Sequence, residues 1–209
     1  RLLTTLAPVI APGAMLTELS SVKAGVAEAA TGSLGARLGR YVPTHPIAGG
    51  ERKGPDAADA ALFDDRLVIL SPLPSSEVEV VERFDDLWRQ LGARTRRLDV
   101  ATHDSLYAAV SHWPHVAAYA LAASIAARLP VDGGEFVGPG LRDLTRIAAS
   151  DPTLWADIVL ANSAQVLDCA EGFAIELERI REAIVAGDRD GLVEAFGRGA
   201  SWRQGLAPR

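Results

Sequence analysis

Four histidines stand in this chain, at positions 45, 103, 112 and 115, and three of them sit where they could do chemistry. His45 opens the run His-Pro-Ile-Ala-Gly-Gly-Glu at 45–51. Imidazole is the side chain that exchanges protons near neutral pH, so a positioned histidine is a candidate general base. Pro46 fixes the backbone beside it, and Gly49 and Gly50 let the chain pass close to something bulky such as a cofactor. The same residues also suit a loop histidine that caps a turn.

His112 and His115 fall in Val-Ser-His-Trp-Pro-His, three residues apart, so on a helix they face one side, with Pro114 kinking or breaking the helix between them. Together with Ser111 they make either a pocket wall or a buried polar helix face. Pairing them with His45 or His103 would give a three-ligand metal site, but the carboxylate spacing of zinc motifs is absent and no metal is expected. Further on, Asp143 and Arg146 are i,i+3 neighbours, so the carboxylate can orient the guanidinium as a receptor for a substrate carboxylate. A surface ion pair beside a helix end satisfies the same spacing. Trp155 reads as core. The single Cys169 permits no internal disulfide, which fits the reducing cytoplasm.

The elements that must position these residues follow two different periods. The first hundred residues alternate short apolar runs with helical segments, the pattern of βα units and a parallel sheet. The expected order is a helix end over 2–10, a buried strand over 14–19, and a helix from Val22 to about Ala30 with Ser20 and Ser21 as its N-cap. A short strand at 41–43, a loop through 45–51, a strand at 67–71, an amphipathic helix over 77–91 and a strand at 94–98 complete this half. From Val100 onward the period is helical: one Ala-rich segment over 99–129, a short helix over 141–149, a very long one from Pro152 to about Ala186, and a closing one over 190–202. Asp151-Pro152 is an acidic N-cap followed by proline at the first helical position. A helix that long with apolar residues on several faces needs partners, and a second subunit is the natural supplier.

Composition narrows the function. The 209 residues are 48% apolar with a net charge of −6, which is a globular protein without the basic cluster that nucleic acid requires. No apolar run reaches the roughly 18 uncharged residues of a membrane helix. The only methionine is Met15, and the chain opens at Arg1 inside an apolar helix-like stretch, so an amino-terminal portion of a longer protein is expected to precede it.

Four motifs in this order resemble the prephenate dehydrogenase and arogenate dehydrogenase (cyclohexadienyl dehydrogenase) family of tyrosine biosynthesis. They are Thr-Glu-Leu-Ser-Ser-Val-Lys at 17–23, His-Pro-Ile-Ala-Gly-Gly-Glu at 45–51, Val-Ser-His-Trp-Pro-His at 110–115, and Gly-Leu-Arg-Asp-Leu-Thr-Arg-Ile-Ala-Ala-Ser-Asp-Pro at 140–152. The resemblance implies the C-terminal half of a Rossmann-type nucleotide-binding domain over 1–99, then an all-helical substrate-binding and dimerisation domain over 100–209. It implies an oxidative decarboxylation with NAD or NADP: hydride leaves the ring carbon that carries the 4-hydroxyl, and loss of the ring carboxylate as CO2 restores aromaticity. By this likeness His45 is the base, assisted by Ser21, with Ser20, Ser21 and Pro46 at the cofactor. Ser111, His112, His115, Arg146 and Trp155 bind substrate, Asp143 steadies Arg146, and Gly50 and Glu51 lie near the substrate side chain. Some of these groups would act across a homodimer.

The chain also departs from the family pattern. Glu18 and Ser20 stand where Asp and Gly are usual, Gly50 replaces a hydroxyl residue, and no Gly-x-Gly-x-x-Gly follows a strand. The alternative reading is a non-catalytic helical dimerisation module that keeps the fold, although such a module needs none of His45, Ser21 and Arg146. A β-hydroxyacid dehydrogenase of similar plan would need a lysine in its helical domain, and the last lysine here is Lys53.

Overall fold

The computed structural model describes residues 2–49, 54, 56, 58–130 and 132–206. Its contacts divide the chain into two compact units, Arg1–Ser163 and Ala164–Arg209. The first begins with helix α1 (Leu2–Leu6) and helix α2 (Ala24–Ser33), followed by a 3-10 turn at Gly35–Arg40. A three-stranded sheet then forms in the order β1 (Thr44–Pro46), β2 (Leu67–Leu70) and β3 (Arg94–Arg97), with helix α3 (Val78–Gln90) between the last two.

The centre of the sheet is the Leu-Val-Ile-Leu run of β2, where Val68, Ile69 and Leu70 are all buried, as expected of a strand covered on both faces. Helix α3 turns Val80, Val81, Phe84 and Trp88 inward onto Val42, Val68, Leu70 and Ala93. Those positions lie along one helical stripe, which is why the segment folds as an amphipathic helix. Gly92 ends it at φ +84°, a conformation that favours glycine, and any side chain there would run into Asp64. A second core gathers Ala7, Ala30, Leu34 and Tyr41.

The sheet is mixed, whereas the sequence pattern suggested a parallel one. β2 and β3 run parallel across the α3 crossover, but β1 pairs antiparallel with β2, with His45 opposite Ile69. The connection leading to β2 carries no long helix among its described residues and returns the chain in the opposite direction. His45 and Pro46 consequently lie in a strand, where a loop was expected, and the pairing extends through the Ser71 N–H to the Pro43 carbonyl and the Ile47 N–H to the Leu67 carbonyl. The expected strand over 14–19 reduces to a parallel pairing at Leu16 with Tyr41, held by Leu16 N–H to Arg40 O at 2.8 Å, Val42 N–H to Leu16 O at 2.9 Å and Thr44 N–H to Glu18 O at 3.1 Å.

The rest of the first unit is helical: α4 (Val100–Tyr107), a wide π turn at Ala108–His112, α5 (Trp113–Ala126), α6 (Pro139–Thr145), a 3-10 turn at Arg146–Ala149 and α7 (Pro152–Ala161). The Asp99 carboxylate caps α4 through Thr102 N–H, and Asp151 caps α7 through Thr153 N–H at 2.9 Å, with Pro152 in its first turn as the sequence indicates. The long helix expected from Pro152 is interrupted at Asn162, whose backbone leaves the helical region at φ −121°, ψ 32°. The second unit consists of the rest of α8 (Ser163–Ala186) and α9 (Arg189–Gly205), linked by Arg198 to Glu176 at 3.0 Å. Among the described residues no single helix is long and apolar enough to cross a membrane.

Truncating Phe84 to Ala should lower unfolding free energy by about 3–5 kcal/mol through the cavity it leaves, while Val78→Ala on the exposed start of α3 should stay within about 0.5 kcal/mol, both read from urea midpoints.

Candidate active site

The site grows from one helical face. His103 and Tyr107 are four apart on α4 and stack, ring centroids 4.6 Å apart at 29°. A regular helix would bring position 111 to that face next. The π turn at Ala108–His112 adds one residue to the turn, and the side chain buried there is His112, while Ser111 is half-buried. Pro114 lies in the first turn of α5, where its missing N–H is tolerated, so the irregular turn precedes it.

His45 reaches this face from β1. Its Nδ1 lies 2.9 Å from His103 Nε2, and His103 Nδ1 lies 2.8 Å from Asp104 Oδ1. A carboxylate can only accept, so His103 donates from Nδ1, its Nε2 accepts, and in the neutral network His45 is the donor from its own Nδ1. The remaining nitrogen of His45, Nε2, is left with a lone pair. Burial pushes the pKa of His45 down to about 3, with the nearby His103, Lys23 and His112 contributing in the same direction and Asp104 opposing. Its ring also packs on Tyr107 at 4.8 Å, and burial pushes the Tyr107 phenol up to about 12.

Asp104 is the shared anchor. Besides His103 it accepts the backbone N–H of Lys23 at Oδ1 and of Ala24 at Oδ2, each at 2.8 Å, and so caps α2 from 80 residues away. The expected capping by Ser20 and Ser21 is therefore not used: the N-cap position is Lys23, without a side-chain cap of its own. Burial would raise the Asp104 pKa, but the hydrogen bonds from His103, Lys23 and Ala24 hold it below the usual carboxylate range. The Lys23 ammonium is buried too, donating to Glu18 Oε1 at 2.6 Å and to the Thr44 carbonyl at 2.7 Å. Burial lowers its pKa against the pull of Glu18. Glu18 also accepts the Ser20 N–H at 2.7 Å, so the longer acid at this position grips both the turn and the lysine.

A second group adjoins the first. Asn162 Nδ2 donates to the Asp104 carbonyl at 2.8 Å and to His112 Nδ1 at 3.1 Å, placing the His112 proton on Nε2. Burial lowers the His112 pKa to about 4. The His112 ring lies edge-on to Trp155 at 6.3 Å, and Trp155 stacks on His115 with centroids 3.4 Å apart at 15°. His115 Nδ1 donates to the Ser111 carbonyl at 2.9 Å. Burial lowers the His115 pKa against that bond, and the charge of nearby Arg146 lowers it further. An apolar groove of about 270 Å³ opens here, lined by His115, Tyr119, Pro152 and Trp155 among others. The Tyr119 hydroxyl donates to the Ser150 carbonyl at 2.8 Å, tying α5 to the turn that carries Arg146.

The structure thus brings His45, His112, His115, Trp155 and Arg146 into one neighbourhood. Asp143 is exposed on α6 and accepts the Arg146 N–H at its backbone carbonyl. Ser20 is exposed and Ser21 half-buried just ahead of α2, and among the described residues the Ser21 hydroxyl makes no hydrogen bond to His45. Pro46 is half-buried in β1, and Gly50 and Glu51 lie outside the described residues. Among the described residues no group of three or more His, Cys, Asp or Glu could hold a metal ion. Asp104 and Asn162 belong to none of the motifs read from the sequence, where His103 stands out only as a possible metal ligand. The available signal was the His-Asp pair one helical turn past the Asp99 cap.

With this geometry in hand, comparison with known proteins places the chain. Residues 1–97 match the family model for the prephenate dehydrogenase nucleotide-binding domain, and residues 99–198 that for the prephenate dehydrogenase dimerization domain. Cyclohexadienyl dehydrogenase of Zymomonas mobilis is 35% identical over 196 residues, covering 91% of this chain and 66% of that protein. Prephenate dehydrogenase of Bacillus subtilis is 30% identical over 93% of this chain and 53% of its own length. The structure of prephenate dehydrogenase from Aquifex aeolicus in complex with hydroxyphenyl propionate and NAD+ superposes with a TM-score of 0.87 at 30% identity, covering 97% of this chain and 70% of that one. The chain belongs to the prephenate dehydrogenase family. It spans between about half and two thirds of the length of the two sequence relatives.

His45 and His112 hold pKa values of about 3 and about 4 in the fold against 6.5 when unfolded. The unfolded chain then binds more protons between those values, so stability is full above about pH 6.5 and falls as the pH drops. At pH 5.5 each histidine should cost roughly 1 kcal/mol relative to neutral pH, visible as a lower urea midpoint, and the drop should shrink in His112→Gln. A midpoint unchanged between pH 7 and pH 5.5 would contradict the assignment.

Proposed function

We propose that the protein to which this chain belongs oxidises and decarboxylates prephenate, arogenate or both with NAD or NADP, in tyrosine biosynthesis. The observation that carries this reading is His45: uncharged, fixed at Nδ1 by His103, with no partner at Nε2 among the described residues, so that this nitrogen can accept a proton.

The residues have distinct tasks. His45 Nε2 takes the proton of the ring 4-hydroxyl as the same carbon gives up its hydride, and the electron pair of the breaking bond to the ring carboxylate enters the ring as CO2 leaves, so that the product is the aromatic phenol. Ser21, half-buried at the turn into α2, supplies the hydroxyl that orients this exchange. Arg146 offers a guanidinium to a substrate carboxylate, and His115, Trp155, His112 and Ser111 form the wall beside it. Asp143 carries the turn from which Arg146 projects. Gly50 and Glu51 are assigned to the substrate side chain on sequence likeness.

A nicotinamide end needs small hydroxyl donors at a strand end and room for close approach. Exposed Ser20 and half-buried Ser21 meet the first need. Gly49, at φ +143°, has nothing among the described residues where a side chain would stand and meets the second. Ser20, Ser21 and Pro46 would hold that end. When bound, the nicotinamide supplies the hydride acceptor. The match to a nucleotide-binding domain and the NAD+ complex of the Aquifex aeolicus protein support the assignment. A homodimer through the helical domain is supported by the match to a dimerization domain and by apolar side chains that unit 164–209 leaves exposed, among them Ile184, Val185, Val193 and Phe196.

The test is reduced-nicotinamide absorbance of the full-length protein with prephenate and with arogenate, beside His45→Asn. Turnover by the wild type, with the variant reduced on the order of 10²- to 10⁴-fold in kcat and little changed in KM, is expected. A wild-type protein that reduces neither cofactor with either substrate would leave the non-catalytic module as the reading.

A further inference from the structure

The groups behind His45 are not placed to react. We infer that His103 and Asp104 are a positioning relay: Asp104 fixes the His103 proton on Nδ1, His103 fixes the His45 proton on Nδ1, and Nε2 of His45 is thereby kept as the ring's free acceptor. The inference rests on the reading of His45 as the base.

Geometry leaves the relay little choice. The Asp104 carboxylate is held at both oxygens, Oδ1 by Lys23 N–H and His103 Nδ1 and Oδ2 by Ala24 N–H, so it cannot turn away without uncapping α2. His103 is fully buried, its ring stacked on Tyr107, which leaves neither water nor rotation to offer another partner. Its two nitrogens are therefore committed, one to a group that only accepts and one to His45 Nδ1. His45 is held from the other side as well, because the Lys23 ammonium grips the carbonyl of Thr44, the residue before it, at 2.7 Å. Lys23 and Asp104 are themselves joined through the Lys23 N–H. One buried cluster thus sets both the backbone position and the tautomer of the base.

An amide in place of the carboxylate reverses the chain of donors. If Asp104→Asn turns its nitrogen toward His103, the His103 proton must move to Nε2, where it donates to His45 Nδ1, and the His45 proton moves to Nε2. The side-chain volume is kept and the acceptor is lost, as in wrong-tautomer variants of histidine bases, while the Lys23 N–H that shares Oδ1 loses its partner and weakens the α2 cap.

The experiment uses the full-length protein and two readouts. Imidazole ¹⁵N shifts, with His45 assigned by its loss in His45→Asn, should show the wild-type His45 proton on Nδ1 and, in Asp104→Asn, on Nε2. In the nicotinamide assay, His103→Leu should lower kcat on the order of 10²-fold or more with KM within a few fold, and His103→Gln, whose amide can donate to Asp104 and accept from His45, should restore much of the loss. A wild-type His45 that carries its proton on Nε2 overturns the relay, as does His103→Leu with wild-type kcat. Should Asp104→Asn fail to fold for want of the α2 cap, the wild-type spectrum and the His103 pair still decide. A wild-type protein without turnover overturns the proposed activity instead, while the spectrum continues to report on the relay.

Discussion

One buried carboxylate joins the elements that make the site. Asp104 receives the first N–H groups of α2, the imidazole of α4's own His103 and, at its carbonyl, the Asn162 amide that ends α7. A buried charge of this kind is tolerated only when its hydrogen bonds are complete, so each partner must arrive in place for the others to be stable. That requirement couples the sheet half of the chain to the helical half within the first compact unit. It also explains why α2 needs no cap from its own sequence.

The same economy of water governs the histidines. With His45 partly and His112 fully shielded, a positive charge on either ring is disfavoured, and the Lys23 ammonium adds to this at His45. The site therefore holds its buried imidazoles neutral, with the Arg146 charge close enough to His115 to lower its pKa.

Much of the scaffold is legible in the sequence. The β2 run, the stripe on α3 and the Asp151 cap are local signals, and local physics decides them. The direction of β1 is not local: it follows from how the described chain returns to β2, so the sheet is mixed and His45 sits in a strand. Three features of the site were hidden for the same reason. The additional residue of the π turn leaves the hydrophobic period almost unchanged, yet it decides that His112 is the buried side chain while Ser111 is left half-buried. Asn162 reads as one more residue of a long helix, and only its two long-range hydrogen bonds show why the helix stops there. Asp104 lies 81 positions from the Lys23 N–H it accepts, a pairing that only the fold creates.

The fold holds His45 partly buried, uncharged and hydrogen-bonded at Nδ1, the state that the proposed role as a base requires. The most direct test of that state is an NMR titration of the His45 imidazole in the full-length protein from about pH 8 to about pH 5. A ring that stays unprotonated across that range is expected; a ring half-protonated near 6.5, the ordinary value for histidine, would contradict a partly buried, neutral His45.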